Sequence, residues 1–232
     1  MRNGDLFIQK FNELDNLLHN ITNLDRNIPF SSAVDHASIE KVTVRRHKDI
    51  LKSIGRLRNA IVHYRAYPEK ILADPRPEVI EELESVLAAI ATPQKLIPKF
   101  QKSIRIFNDD NPLSGCLIFM KENNFSQIVV AHEGAHVLLS SEGIVKWLEN
   151  ARDVGLADLE ETTIENVLEF EDRNICQYLS RDDLLDEAFE KFEQAISNGV
   201  PRLQAILISE NGKPQERPLG IVTPWDLLSD NH

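Results

Sequence analysis

The chain has 232 residues, of which 42% are hydrophobic, and a formal net charge of −11. That is enough apolar material for one or two packed cores, while the average acidity opposes a nucleic-acid partner. Residues 1–11 are too polar for a signal peptide, and no apolar run approaches the roughly 18 residues of a membrane span, so a soluble, cytoplasmic chain with no membrane partner is expected. Cys116 and Cys176 lie far apart without C-x-x-C spacing or clustered histidines, which points to reduced thiols and no metal site.

The charge is unevenly distributed. Residues 1–97 hold 14 Lys and Arg against 13 Asp and Glu, whereas residues 98–232 hold 12 against 24. Within the first part, 41–65 (KVTVRRHKDILKSIGRLRNAIVHYR) carries eight basic residues and the single acid Asp49, a local charge of +7.

In chain order, Leu6, Phe7, Phe11, Leu14, Leu17, Leu18 and Ile21 recur at helical spacing and predict a helix from Gly4 to Asp25, broken by NIPFSS. Ile50, Ile54, Leu57, Ile61 and Tyr64 form the apolar stripe of a second long helix with basic flanks. The segment YPEKILADPRPE reads as a loop, and Pro77 opens a further helix, EVIEELESVLAAIA, which ends before Pro93. Residues 1–97 therefore read as an antiparallel helical bundle without strands.

From Pro98 the pattern becomes helix (LSGCLIFMKENN), strand (SQIVVA), strand (HVLLS), helix (EGIVKWLENA). It returns as helix (DDLLDEAFEKFEQAISNG), strand (LQAILIS), strand (LGIVT), helix (PWDLLSD). Between the copies lies an acidic connection in which ENVLEF is expected to be the leading strand of the second copy. The domain boundaries expected are 1–97, 98–160 and 161–232, and the fold class is multidomain, α followed by α+β.

Gly220-Ile221-Val222-Thr223-Pro224-Trp225-Asp226, set within this repeat, resembles the ligand motif of tandem CBS-domain (Bateman) modules, the resemblance covering about residues 99–230. It implies a pair of βαββα units in which Thr223 and Asp226 hold the ribose hydroxyls of an adenine nucleotide such as ATP, ADP, AMP or a cyclic dinucleotide, acting as a regulatory ligand. Thr-Pro-x-Asp is also an ordinary helix start, with Thr223 as cap and Asp226 at the positive end of the dipole. In the first copy Ser140 stands opposite Thr223 and Gly143 opposite Asp226, so one good site per chain is expected, with a degenerate one around Ser140. Arg202, at the head of a strand, is expected to line the better cleft and meet a phosphate; Lys213 is expected at the solvated surface. His132 and His136 flank a turn and are expected to face solvent.

Arg58-Asn59-Ala60-Ile61-Val62-His63 resembles the R-x4-H signature of HEPN-domain ribonucleases, the resemblance covering residues 1–97. It implies a homodimer in which two Arg-His sets face a shared groove and cut RNA without metal, leaving 2′,3′-cyclic phosphate ends. The chemistry suits the residues: His63 moves protons near neutral pH, the Arg58 fork stabilises the extra charge on phosphorus, and Asn59 shares a helical face with His63. Arg45, Arg46, Lys48, Lys52 and Arg56 would draw the phosphate backbone in. The structural alternative pairs Arg58 with the acidic helix 77–91 and leaves His63 at a helix end. Two functions follow: a metal-independent endoribonuclease gated by an adenine nucleotide, or a non-catalytic nucleotide sensor whose helical domain dimerises or docks a partner.

Overall fold

The computed structural model describes residues 2–63, 74–154, 159–199 and 202–229, the side chains of 63, 151–154 and 229 lying outside the description. Tyr64, Arg65 and most of the loop expected over 67–78 likewise lie outside the described residues. The chain divides into two compact units, Met1–Gln94 and Lys95–His232.

The first unit is helical among its described residues: α1 (Asn3–Thr22), α2 (Phe30–Glu40), α3 (Val42–Arg46), α4 (Lys48–His63) and α5 (Pro77–Ala91). In α1, Phe7, Phe11, Leu14 and Leu18 are spaced by four, three and four residues and are buried, giving one continuous apolar stripe. That helix stops short of Asp25 because Asn23 turns left-handed (φ 52°) and its N–H reaches back to the Asn20 carbonyl, a conformation asparagine tolerates. The buried His19 ties the following turn to the helix, its ring nitrogens lying 2.8 Å from the Asp15 carbonyl and 3.1 Å from that of Ile28. Helix α2 fills the stretch that sequence patterning leaves unassigned, placing Ala33, Val34 and Ala37 in the same core as Leu51, Ile54, Ile61, Leu83 and Val86. Pro77 takes the first helical position of α5, as its spacing predicts.

Asp35 of α2 clamps this packing by accepting from Lys48 (2.7 Å) and Lys52 (2.8 Å) of α4. Those two ammonium groups, Lys48 first, hold its carboxyl at about 2. A depressed folded-state value places the clamp's contribution above the ordinary aspartate range and removes it as pH falls through about 2. The pair is solvated, so the contribution is small. Asp35→Asn is therefore expected to lower the unfolding midpoint of this unit at pH 7, and the difference from wild type is expected to vanish in a melt at pH 2 or below.

The second unit begins with a turn, α6 (Leu96–Lys99), and continues β1 (Ile106–Asn108), α7 (Leu113–Asn123), β2 (Gln127–His132), β3 (Ala135–Ser140) and α8 (Ser141–Val154). It repeats as α9 (Ile164–Leu168), a short 3-10 turn at Arg173–Ile175, β4 (Cys176–Ser180), α10 (Leu185–Ser197), β5 (Ala205–Ser209), β6 (Gly220–Val222) and α11 (Pro224–Ser229). Each repeat forms a three-stranded sheet, β1-β2-β3 and β4-β5-β6, whose first pair is parallel and second antiparallel. The β2–β3 hairpin turns through Glu133 (φ 48°) and Gly134 (φ 75°), two positive-φ residues as a type I′ turn requires.

Strand alternation splits the core. Ile128, Val130 and Leu139 face the helices of the first repeat, while Val129 and Leu138 pack on Ala205, Leu207 and Ile175 of the second. The two sheets thus close on each other within one unit.

ENVLEF does not form the leading strand. Thr163 caps a helix instead, its N–H and hydroxyl meeting the Asn166 side-chain oxygen at 3.2 and 3.0 Å, and Ile164 and Val167 turn inward three residues apart. The leading strand of the second repeat is Cys176–Ser180, and its counterpart in the first is the three-residue β1. The segment Leu96, Ile97 and Phe100 packs into the core of the second repeat although it precedes the first. Gln101 bridges Gly220, and Lys102 N–H donates to the Leu219 carbonyl (3.2 Å). A Cβ on Gly220 would collide with the Phe100 carbonyl oxygen, a backbone atom with no room to retreat. Gly220→Ala is expected to destabilise this unit by about 1–3 kcal/mol in denaturant melts, the usual cost of overpacking.

Candidate functional site

Thr223 and Asp226 close a capping box at the start of α11. Asp226 Oδ2 accepts from the Thr223 N–H (2.8 Å) and hydroxyl (2.7 Å), and the Asp226 N–H returns to Thr223 Oγ1 (3.4 Å). The other carboxylate oxygen, Oδ1, faces Lys102 Nζ at 3.1 Å. Partial burial works to raise the Asp226 carboxyl, but the two Thr223 hydrogen bonds and Lys102 outweigh it and hold the group below the ordinary aspartate value.

Both residues, with Ile221 of β6, line a cleft of about 630 Å³ whose other walls come from the segment Lys102–Arg105, the end of α7 through Val129, and Leu138. Ile104, Val129, Leu138 and Ile221 supply an apolar face, and Lys102 and Arg105 are the cations among the lining residues. The Arg105 guanidinium lies over the Phe107 and Phe119 rings at 4.7 and 4.8 Å, which fixes its position. The cleft is therefore crossed: cap and carboxylate from one repeat, walls and cations from the other.

That crossing decides where Arg202 goes. The structure places it in an ion pair with Glu142 at the start of α8, and it is not among the residues lining the cleft at Thr223 and Asp226. Glu142 is correspondingly held below its ordinary range, Arg202 being the largest cause. Lys213 sits in the β5–β6 connection, where its N–H donates to Ser209 Oγ (2.9 Å). The carboxylate of Glu216 orders this connection, accepting from the Asn211 side chain (2.7 Å) and N–H (2.6 Å) and from Ser209 Oγ (2.9 Å), which holds it at about 2.

Ser140 ends β3, and its hydroxyl accepts from the Gly143 N–H (3.1 Å). A smaller cleft of about 220 Å³ is lined by the hairpin end of β2 and β3 and by the segment from Leu168 to Tyr178, with His132, Glu133, Glu171, Asp172, Arg173 and Tyr178 among its residues and neither Ser140 nor Gly143. His132 and His136 are half-buried and engaged. His132 Nδ1 meets Asp109 Oδ2 at 2.8 Å, and the His136 N–H donates to the Pro214 carbonyl (2.7 Å). Burial pushes the thiols up, Cys116 to about 11 and Cys176 to about 12, so neither is a ready nucleophile.

In the helical unit, Arg58 and Asn59 lie on α4 one turn before His63, whose side chain is outside the described residues. Arg58 Nη1 donates to Asn59 Oδ1 (3.3 Å), its guanidinium lies 5.6 Å from the centre of the Phe11 ring, and its buried Nε has no hydrogen-bond partner among the described residues. Of the flanking cations, Lys48 and Lys52 hold Asp35, and Arg56 donates to Ser53 (2.9 Å). Among the described residues no group of three or more His, Cys, Asp or Glu is placed to hold a metal ion, and no helix is long and apolar enough to cross a membrane.

Residues 172–230 match the profile of the CBS domain, so the second repeat is a CBS domain. No curated protein matches the chain. Among solved structures, the chain is similar to a conserved CBS-domain protein of unknown function from Thermoplasma acidophilum (19% identity over 60% of this chain and 69% of that one, TM-score 0.43). It is similar also to protein MJ1225 from Methanocaldococcus jannaschii (18% identity over 66% of this chain and 52% of that one, TM-score 0.46). A third is the CBS domain pair of protein MJ0100, solved in complex with 5′-methylthioadenosine and S-adenosyl-L-methionine (15% identity over 60% of this chain and 97% of that pair, TM-score 0.45).

Proposed function

We propose that the chain is an adenine-nucleotide sensor in which the Thr223–Asp226 cleft binds the nucleotide and the helical unit is a non-catalytic dimerisation or docking domain. In this reading residues 98–160 and 161–232 are two CBS repeats, and 1–97 is the domain they regulate. The single observation that carries it is the divided use of the Asp226 carboxylate. Oδ2 is satisfied by the Thr223 cap, while Oδ1 faces the exchangeable ammonium of Lys102. An entering ribose takes over Oδ1 with its hydroxyls, and the displaced Lys102, with Arg105, is then placed to meet phosphate. The apolar face of Ile104, Val129, Leu138 and Ile221 suits a purine ring. The match of residues 172–230 to the CBS domain supports the same reading. Calorimetric titration of the full chain with AMP, ADP, ATP and a cyclic dinucleotide tests it. Binding of at least one adenine nucleotide, tighter than its guanine counterpart, is expected; no heat with any of them sinks the reading.

A second reading, a HEPN-type homodimeric endoribonuclease acting on RNA, rests on Arg58, Asn59 and His63 falling within one stretch of α4 and on a buried Arg58 Nε with no partner among the described residues. Mixed RNA incubated in chelator with and without nucleotide is then cut to 2′,3′-cyclic phosphate ends by the wild type and not by His63→Ala. RNA left intact by the wild type throughout leaves only the sensor.

A further inference from the structure

We infer that Glu171 is a built-in occupant of the site at Ser140 and Gly143, closing it to a nucleoside by putting its carboxylate where an aspartate at position 143 would put its own. The two repeats make the comparison directly. At α11 the carboxylate that accepts the Thr223 N–H belongs to Asp226, three residues on. At α8 the corresponding residue is Gly143, which has no side chain, yet the Ser140 N–H still donates to a carboxylate: Glu171 Oε2, at 2.6 Å, from the connection between α9 and β4. A Cβ built on Gly143 would meet the Glu171 carboxylate, lying 2.8 Å from its carboxyl carbon. A side chain at 143 would therefore displace the Glu171 carboxylate from its place on the Ser140 N–H, and the glycine is the residue that makes room for it.

The two carboxylates differ in the partner of the second oxygen. Asp226 keeps Oδ1 on an exchangeable lysine. The second oxygen of Glu171 accepts the backbone N–H of Asp172 (3.0 Å), so both of its oxygens are spent on backbone donors. Arg202 is held by Glu142, at the start of the same helix α8. A nucleotide entering here would have to expel a carboxylate hydrogen-bonded at both oxygens.

The consequence is one ligand per chain, an inference that rests on the sensor reading for the identity of that ligand but not for the coupling of positions 143 and 171. Two measurements on the full chain test it. In thermal melts, Gly143→Ala is expected to lower the midpoint by a few degrees in the wild-type background and by nothing measurable in the Glu171→Ala background; equal costs in both overturn the inference. In titrations with the tightest-binding of AMP, ADP and ATP, the wild type is expected to take one equivalent and the Gly143→Asp/Glu171→Ala double variant two. Two equivalents in the wild type, or one in a folded double variant, also overturn it. If nothing binds to any variant, the nucleotide reading is lost, and the melts alone decide whether Glu171 occupies the site.

Discussion

Asp226→Ala is expected to weaken adenine-nucleotide binding by about 100-fold or more. A carboxylate bonded to two ribose hydroxyls makes two charge-assisted hydrogen bonds, each worth about 1.5–3 kcal/mol. The substitution also removes the acceptor of the Thr223 N–H and hydroxyl, so a cost of about 0.5–2 kcal/mol in unit stability accompanies it, the usual price of a lost cap. Asp226→Asn separates the two effects, because an amide oxygen still accepts at the cap but carries no charge for the diol. The cap's contribution to stability is expected to recover in the asparagine variant while affinity stays low. Lys102→Ala gives the converse result. It removes the cation placed to meet phosphate and keeps the Asp226 carboxylate, so it is expected to weaken a nucleoside without phosphate much less than it weakens a phosphorylated one. The depressed Asp226 value sets the pH behaviour. The carboxylate stays ionised below the ordinary value of about 3.9, so loss of affinity above that pH is not assigned to this group. Calorimetry across the three variants with adenosine and AMP checks each statement. An Asp226→Ala variant that binds AMP as tightly as wild type removes the cleft from consideration.

Sequence patterning reveals the local parts of this site and misses the parts brought in from far along the chain. Thr223 and Asp226 are readable because a capping box is complete within four residues. Strands β2, β3 and β5 are readable because their buried runs are long enough to stand out. Strand β1 is only three residues, and β4 mixes Gln177, Tyr178 and Ser180 with two apolar positions, so neither has a periodic signal strong enough to compete. ENVLEF has the apolar content of a strand, but Thr163 and Asn166 supply local hydrogen bonds that only a helix start uses. Helix α2 escapes notice because Ser31, Ser32 and Ser38 dilute its apolar face, which becomes evident only once Ala33, Val34 and Ala37 are packed.

Lys102 stands 124 residues before Asp226, and Glu171 stands 31 after Ser140; no window that reads periodicity spans such distances. Arg202 illustrates the same limit. Its position at the head of a strand is legible, but the cleft it faces depends on the repeats exchanging walls, a property of the closed pair of sheets. A hint of Glu171 was nevertheless present in the chain. A glycine where the other repeat has an acid, followed by an acidic connection, leaves a donor at α8 that some acceptor has to satisfy.

Leu207→Ala is expected to be among the most damaging single substitutions in the second unit. Leu207 is fully buried on the central strand β5, paired to Tyr178 of β4 and Ile221 of β6. Its side chain packs in the layer shared by Val129, Leu138, Ile175 and Ala205, so the lost methyl groups leave a void between two sheets that have no helix there to settle inward. Truncations of this kind cost about 2–5 kcal/mol, the upper part of the range applying where the walls do not relax. Val129, Leu138 and Ile221 also line the cleft at Thr223 and Asp226, so the void opens beside the proposed nucleotide site. Affinity is therefore expected to fall along with stability, whereas Ile39→Ala, at a helix position 76% exposed in the other unit, is expected to change stability by less than about 0.5 kcal/mol. Saturating nucleotide recovers part of the loss, about 2.7 kcal/mol at 100 times the dissociation constant. Denaturant melts with and without nucleotide check the prediction. A Leu207→Ala variant destabilised by less than about 1 kcal/mol would mean that the two sheets do not share the core that joins cleft and fold.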